Sequence, residues 1–252
     1  MDLELPPPAP FQVLQRDFPT KPDSGETSYK GRGPLADRRA LITGGDSGIG
    51  RAVVIAMARE GARIAINYLS GEELNAEDLV KFLAQERIKI IRLPGNLLDE
   101  TFCESLIKDA EQALGGLDSL VNNANRFDTF NDDITTYTTA RFDLTMPTNL
   151  YTGFFLTRAA AKIMPPGGSI IFTVSDVVFN TTKGIIDYAA SKYAVASFAQ
   201  RLGISLAAKG FRVDGVAPGI VYTPLLPASG STNEQLRQIC SAVTIEEDCA
   251  AY

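Results

Sequence analysis

Tyr188 and Lys192 stand four residues apart in Tyr-Ala-Ala-Ser-Lys. On a helix, residues i and i+4 share one face, so the ammonium can sit beside the phenol. A phenol with a pKa of about 10 is a poor base near neutrality. A neighbouring cation favours the phenolate and brings that pKa toward the range where proton transfer is efficient. Most Tyr-x-x-x-Lys pairs are only exposed helix faces, so position has to decide. This pair opens a helix directly after the loop of an apolar strand, Ser169 to Val174. Ser175 ends that strand. Its hydroxyl either bonds a substrate carbonyl oxygen or merely closes a turn, and the presence of Tyr188 favours the first.

A second stretch, Ala-Leu-Ile-Thr-Gly-Gly-Asp-Ser-Gly-Ile-Gly-Arg over residues 40–51, reads as a buried strand running through a glycine turn into a helix. Glycine removes the Cβ that would hold a ligand off the backbone. The free N–H groups and positive end of the following helix then face whatever enters, which favours a phosphate. Gly-rich turns are common, and the glycines alone are weak. Their place between a strand and a helix, with another strand after Gly61, is what a nucleotide-binding βαβ unit requires. At the end of that next strand, where an acidic side chain would read a ribose and repel a 2′-phosphate, stand neutral Asn67 and Tyr68, with Ser70 close by. Arg51 is a candidate cation for the phosphate. This reading favours NADP(H) and leaves NAD(H) open.

The elements that position these residues alternate. Strands are expected at 40–43, 63–68, 88–93, 117–123, 169–174 and 211–217, and helices at 49–60, 72–85, 100–114, 136–141, 149–164 and 188–209, with a short one at 233–242. Such alternation of apolar strands and helices implies an α/β fold, a Rossmann-like doubly wound parallel sheet of six strands. Ligands of such sheets bind at the carboxyl ends of the strands, so the loops after residues 42, 68, 93, 123, 174 and 217 share one rim. Residues 1–37, with Pro6-Pro7-Pro8 and four further prolines, form an extended arm lying on the domain or on a partner subunit. Residues 38–252 form the one catalytic domain.

A net charge of −6 without a basic run argues against nucleic acid or an anionic membrane as partner. No apolar stretch approaches the roughly 18–20 residues that span a bilayer. The acidic, proline-rich start is not a secretory signal, and Cys103, Cys240 and Cys249 are too scattered for a disulfide frame. The expected location is cytoplasmic. Histidine is absent, which removes Ser-His-Asp and Cys-His catalysis and any credible transition-metal site.

Together these residues resemble the short-chain dehydrogenase/reductase family, in its glucose-dehydrogenase-like members with an extended amino terminus. The resemblance runs from about Tyr29 to Leu225. It rests on Thr43-Gly44-x-x-x-Gly48-Ile49-Gly50, on Tyr188-x-x-x-Lys192 with Ser175 thirteen residues earlier, on Thr148-Asn149-Leu150, and on Pro218-Gly219 followed by Thr223. It implies hydride transfer between nicotinamide and a carbonyl or secondary alcohol of a small to medium-sized metabolite. In that reaction Tyr188 is the general acid/base, Ser175 orients the substrate oxygen, Lys192 lowers the tyrosine pKa and holds the nicotinamide ribose, and Asn149 anchors a proton-relaying water. It further implies a cofactor cradle of Gly44, Ser47, Gly48, Ile49, Gly50, Arg51, Asn67, Tyr68, Asn96, Leu97, Asn123, Tyr188, Lys192, Pro218, Gly219, Val221 and Thr223. A homodimer through the helices carrying Asn149 and the Tyr188–Lys192 pair is implied as well.

Four departures bear on these expectations. Asn125 replaces the glycine of Asn-Asn-Ala-Gly, and Asn96 replaces an acidic residue that meets the adenine. Pro147 suggests that a helix restarts before Asn149. After the sixth strand only Leu225 to Tyr252 remain, so the usual seventh strand is expected to be missing and the usual tetramer with it. Two other readings stay open: a cofactor-binding structural or regulatory protein without turnover, motivated by the short tail and Asn125, and a redox-neutral lyase or isomerase using Tyr188 as an acid/base.

Overall fold

The computed structural model describes residues 13–18, 20–180, 182–232 and 234. Six strands, β1 (Arg39–Thr43), β2 (Arg63–Asn67), β3 (Ile90–Arg92), β4 (Ser119–Asn122), β5 (Ser169–Thr173) and β6 (Arg212–Val216), form one parallel sheet in the order β3-β2-β1-β4-β5-β6. The order in which strands are added reverses between β1 and β4, which pair in parallel through Ala40↔Ser119 and Ile42↔Val121. The crevice at that switch point is where a ligand is expected. Every strand lies inside its predicted range or within one residue of it. β3 is the shortest, because its ladder with β2 extends only from Ile90 to Arg92.

Helices cover both faces, as parallel strands require. Ala40, Ile42, Ile64 and Ile66 point toward α1 (Gly48–Arg59) and α2 (Glu73–Gln85), where Val54, Ile55, Leu79 and Leu83 are buried against them. Leu41, Leu120, Ile170 and Phe172 point the other way, toward α3 (Glu100–Leu114) and two longer helical runs. Burying each such Leu or Ile contributes about 1.5–3 kcal/mol. Local signals set the ends. Asp99 caps α3 by accepting from the N–H groups of Thr101 (2.9 Å) and Phe102 (3.2 Å), and Gly61 follows the end of α1.

The expectation of two helices separated by a restart at Pro147 is corrected. A single helical run spans α4 (Thr139–Met146), a π-helical turn at Pro147–Tyr151 and α5 (Thr152–Ala160). Proline has no N–H to give to the preceding turn. The run absorbs this by widening, and the Thr152 N–H donates five residues back to the Pro147 carbonyl. Asn149 therefore sits on a local bulge, the kind of feature that re-aims a side chain. α6 (Ile186–Ala207) begins two residues earlier than expected, and a short α7 (Leu225–Ala228) follows β6.

The described part of the arm lies on α1. Glu60 accepts from the Tyr29 hydroxyl and from the N–H groups of Arg32 (2.9 Å) and Gly33 (2.8 Å), while the Arg59 guanidinium donates to the carbonyls of Gly25, Glu26 and Tyr29. β6 is largely exposed among the described residues, and no backbone hydrogen bond joins it to the described part of the arm. No helix among the described residues is long and apolar enough to cross a membrane. The helix expected at 233–242 lies outside the described residues.

Candidate active site

The carboxyl ends of the strands are tied together by side chains. The Thr43 hydroxyl accepts from the N–H groups of Asn123 (3.0 Å) and Ala124 (3.1 Å), and the Asn123 amide donates to the carbonyls of Thr43 (3.1 Å) and Gly44 (3.2 Å). Thr173, at the end of β5, donates to the Asn123 side-chain oxygen (3.1 Å). Three strand ends are thus held around one asparagine. They border a cleft of about 520 Å³ that runs from the glycine turn to α6.

The glycine turn is built for close approach. Gly44 has φ +60° and Gly48 φ +51°, a left-handed backbone in which a side chain is strained. A Cβ on Gly48 would lie 2.9 Å from Thr223, and one on Gly44 would lie 3.1 Å from the Ala124 Cα. The Gly45 N–H donates to the Asn67 carbonyl (3.1 Å), and the Asp176 N–H donates to the Pro218 carbonyl (2.9 Å), which draws the 217–224 loop over the strand ends. A slot with bare backbone at the start of α1 fits a dinucleotide pyrophosphate.

Of the expected cofactor residues, Gly44, Ser47, Gly48, Ile49, Asn67, Tyr68, Asn96, Leu97, Asn123, Pro218, Gly219, Val221 and Thr223 line the cleft, together with Ser175, Tyr188 and Lys192. Gly50, Arg51 and Asn149 do not. A Cβ on Gly50 would lie 1.8 Å from the Gly44 carbonyl oxygen, so this glycine serves packing of the turn on its helix. Arg51 is turned away and buried, paired with Glu26 of the arm (2.8 Å) and Asp78 of α2 (3.1 Å). Its expected role as the phosphate cation is therefore corrected. Asn67 is likewise committed, its amide donating to the carbonyls of Leu93 (3.0 Å) and Gly95 (3.2 Å).

Asn149 braces rather than borders the cleft. Its oxygen accepts from the Arg126 N–H (2.7 Å), and its nitrogen donates to the Arg126 carbonyl (3.0 Å) and the Ser191 hydroxyl (2.9 Å). Both ends of the amide are spent on holding the loop after β4 against α6. The first turn of α6 is fixed from the other side by Asp187, fully buried, which accepts two hydrogen bonds from Arg141 (3.0 and 2.9 Å) and one from Thr145 (2.9 Å). Burial pushes the Asp187 carboxyl up, but these donors hold it below the ordinary aspartate value. Tyr188 is the next residue, and its ring meets Phe127 edge-on at 5.1 Å.

The electrostatics of the pair differ from expectation. Lys192 is fully buried, and its ammonium donates to the Asn125 side-chain oxygen (2.5 Å) and the Thr173 carbonyl (2.7 Å). Its nitrogen lies 5.5 Å from the centre of the Tyr188 ring. Burial pushes the lysine down to about 7. Burial also pushes the Tyr188 phenol up to about 12, against the hydrogen bond from Ser175 that lowers it. In this arrangement desolvation of the phenol outweighs its hydrogen bond from Ser175.

Asn125 takes no positive φ, so its side chain is accommodated by pointing at Lys192 rather than by a special backbone. Residues the sequence reading did not single out also line the cleft: Asp46, buried and pushed up by desolvation, and Glu72, pushed up to about 7 by burial and by Asp46. Asp46 lies inside the glycine motif, where its spacing could have drawn notice. Glu72 carries no such signal. Cys103 is buried in the core with its thiol pushed up to about 12 by desolvation, an inert packing residue.

The sequence profile described as short chain dehydrogenase matches residues 38–234. An uncharacterized oxidoreductase of Bacillus subtilis (strain 168), YhxD, is 43% identical over 88% of this chain and 74% of its own length. The NADPH-dependent aldehyde reductase 1, chloroplastic, of Arabidopsis thaliana is 36% identical over 90% of this chain and 80% of its own. Among solved structures, a short chain dehydrogenase from Burkholderia cenocepacia J2315 in complex with NADP superposes with a TM-score of 0.75. It is 31% identical, over 84% of this chain and 85% of that one. Sequence, sheet order and matched length agree, and the chain belongs to the short-chain dehydrogenase/reductase family as an NAD(P)-dependent oxidoreductase.

Proposed function

We propose that this protein is an NADP(H)-dependent reductase of neutral carbonyl compounds, with Tyr188 as the proton donor. The observation that carries this reading is the convergence of the Tyr188 phenol, Ser175 and Lys192 at one end of the cleft. The cofactor, when bound, supplies the hydride. Tyr188 delivers a proton to the substrate oxygen as that oxygen gains negative charge, and the Ser175 hydroxyl orients the same oxygen. Lys192 stands beside the phenol and holds the nicotinamide ribose. The turn at Gly44 and Ser47–Ile49 receives the pyrophosphate, Asn96 and Leu97 meet the adenine side, and Pro218, Gly219, Val221 and Thr223 flank the carboxamide. The neutral strand end at Asn67 supports NADP(H), as do the relatives that use or bind it.

The protein works as a homodimer in the cytoplasm, paired through α5 and α6. Support for the dimer comes from the exposed Tyr151 at the end of the π-helical turn, Phe154 on α5, and Tyr193 and Ile204 on α6. Nicotinamide absorbance with a panel of aldehydes and ketones tests the activity. Tyr188→Phe is expected to lower kcat at least about a hundredfold, the usual worth of a positioned general acid. Turnover within threefold of the parent would reject the mechanism.

A further inference from the structure

From the wall around Tyr188 we infer that the carbonyl substrate carries an apolar chain or ring, and is not a sugar or polyol. This rests on the reductase reading above and names its substrate class. Phe127, Val177 and Ile185 form a small buried cluster of their own, apart from the two cores on the sheet faces, and Phe130, Leu225, Leu226 and the Tyr188 ring pack against it. All of these side chains line the cleft at its Tyr188 end. A buried apolar cluster on a cleft wall desolvates hydrocarbon and has nothing to offer a hydroxyl.

Polar groups behind this wall are engaged with one another. Arg126 pairs with Asp128 at 2.8 Å, and the Asn131 amide donates to the Thr136 hydroxyl at 2.7 Å. The Tyr137 hydroxyl donates to the Asn131 carbonyl at 3.1 Å and accepts from the Ile186 N–H at 3.2 Å. Recognition of a polyol needs several donors and acceptors converging on its hydroxyls, since each hydroxyl buried without a partner is penalised. Asp176, whose carboxylate lies 3.3 Å from the Ser175 hydroxyl oxygen and accepts from the Asn180 amide at 3.5 Å, adds a negative charge beside the reacting oxygen. That charge disfavours keto acids, leaving neutral aldehydes and ketones.

The test is a homologous series, propanal to hexanal with benzaldehyde, against glyceraldehyde, glucose and ribitol, with NADPH or NADP as the direction requires. Each added methylene should raise kcat/KM about fourfold, so hexanal should exceed propanal on the order of fiftyfold. The hydroxylated compounds should fall at least tenfold below hexanal. Leu226→Ser should cut the hexanal-to-propanal ratio at least fivefold.

A readout independent of turnover is calorimetric binding of butanamide, hexanamide and octanamide, carbonyl mimics that are not reduced. Their affinities should rise with chain length, and less steeply in Leu226→Ser. A flat series by either measure, or turnover of glucose or ribitol equal to hexanal, would overturn the apolar site. Rising amide affinity without turnover of any carbonyl would instead retire the reductase reading and leave the apolar site standing.

Discussion

At the scale of single residues, the candidate site holds one lysine amine in a dry place. Lys192 has two neutral acceptors, Asn125 and Thr173, and no carboxylate partner among the described residues, and burial pushes it down to about 7. Replacing the Asn125 carboxamide by a carboxylate puts an opposite charge at the same contact, which favours the charged lysine. In Asn125→Asp the Lys192 side-chain NMR signal of the cofactor-free protein is expected to titrate at least one pH unit higher, a differential interaction of about 1.4 kcal/mol per unit. An unmoved midpoint would show that residue 125 does not hold the ammonium. The sign for stability follows. The unfolded lysine keeps its proton to about 10.5 and the folded one to about 7, so between these values the unfolded chain binds more protons. The contribution of Lys192 to stability therefore rises with pH through that window, and in Asn125→Asp the rise starts later. Denaturant melts at pH 7 and 9 measure it.

At the scale of elements, the start of α1 is held by a residue far away in sequence. The Gly48 N–H donates to the Gln15 side-chain oxygen (2.7 Å), and the Gln15 amide donates to the Ser24 hydroxyl (3.1 Å), both buried. Phe18 packs on Tyr222 with ring centres 5.0 Å apart, so the arm also touches the 217–224 loop. Gln15→Ala leaves a buried N–H without its acceptor at the glycine turn, at a cost of about 1–3 kcal/mol. A fall in Tm of at least about 2 °C is expected, given roughly 2–4 °C per kcal/mol for a chain of this size. An unchanged Tm would mean that the arm does not support α1. The helical run through Pro147 teaches the same lesson from the other side. Its π turn places Asn149 between Arg126 and Ser191, a bracing geometry that local propensity does not foresee.

At the scale of the whole molecule, the sheet order puts all the chemistry on one rim and leaves β6 as an exposed edge among the described residues. An exposed edge is a site for unwanted pairing. The aromatic and aliphatic side chains left open on α5 and α6 are where a second copy would bury them. Sedimentation at micromolar concentrations is expected to give twice the monomer mass. A purely monomeric boundary would refute the dimer.

What could be read from the residues alone was whatever depends on short-range pattern. Apolar runs of period two and 3.6 marked the strands and helices, because burial of a stripe is a local demand. Glycine spacing marked the turn, because only glycine relaxes there. The Tyr188–Lys192 spacing marked a shared helix face. Partnership was decided only in three dimensions. Arg51 had the right place in the motif for a phosphate, yet Glu26 and Asp78 claim it from the arm and from α2. Lys192 was expected to lower the tyrosine, yet Asn125 and Thr173 receive its hydrogen bonds, and desolvation sets both pKa values. Charge pairing and burial are sums over neighbours distant in sequence, so no spacing along the chain can state them, and the tertiary structure alone decides which side chains face the cleft.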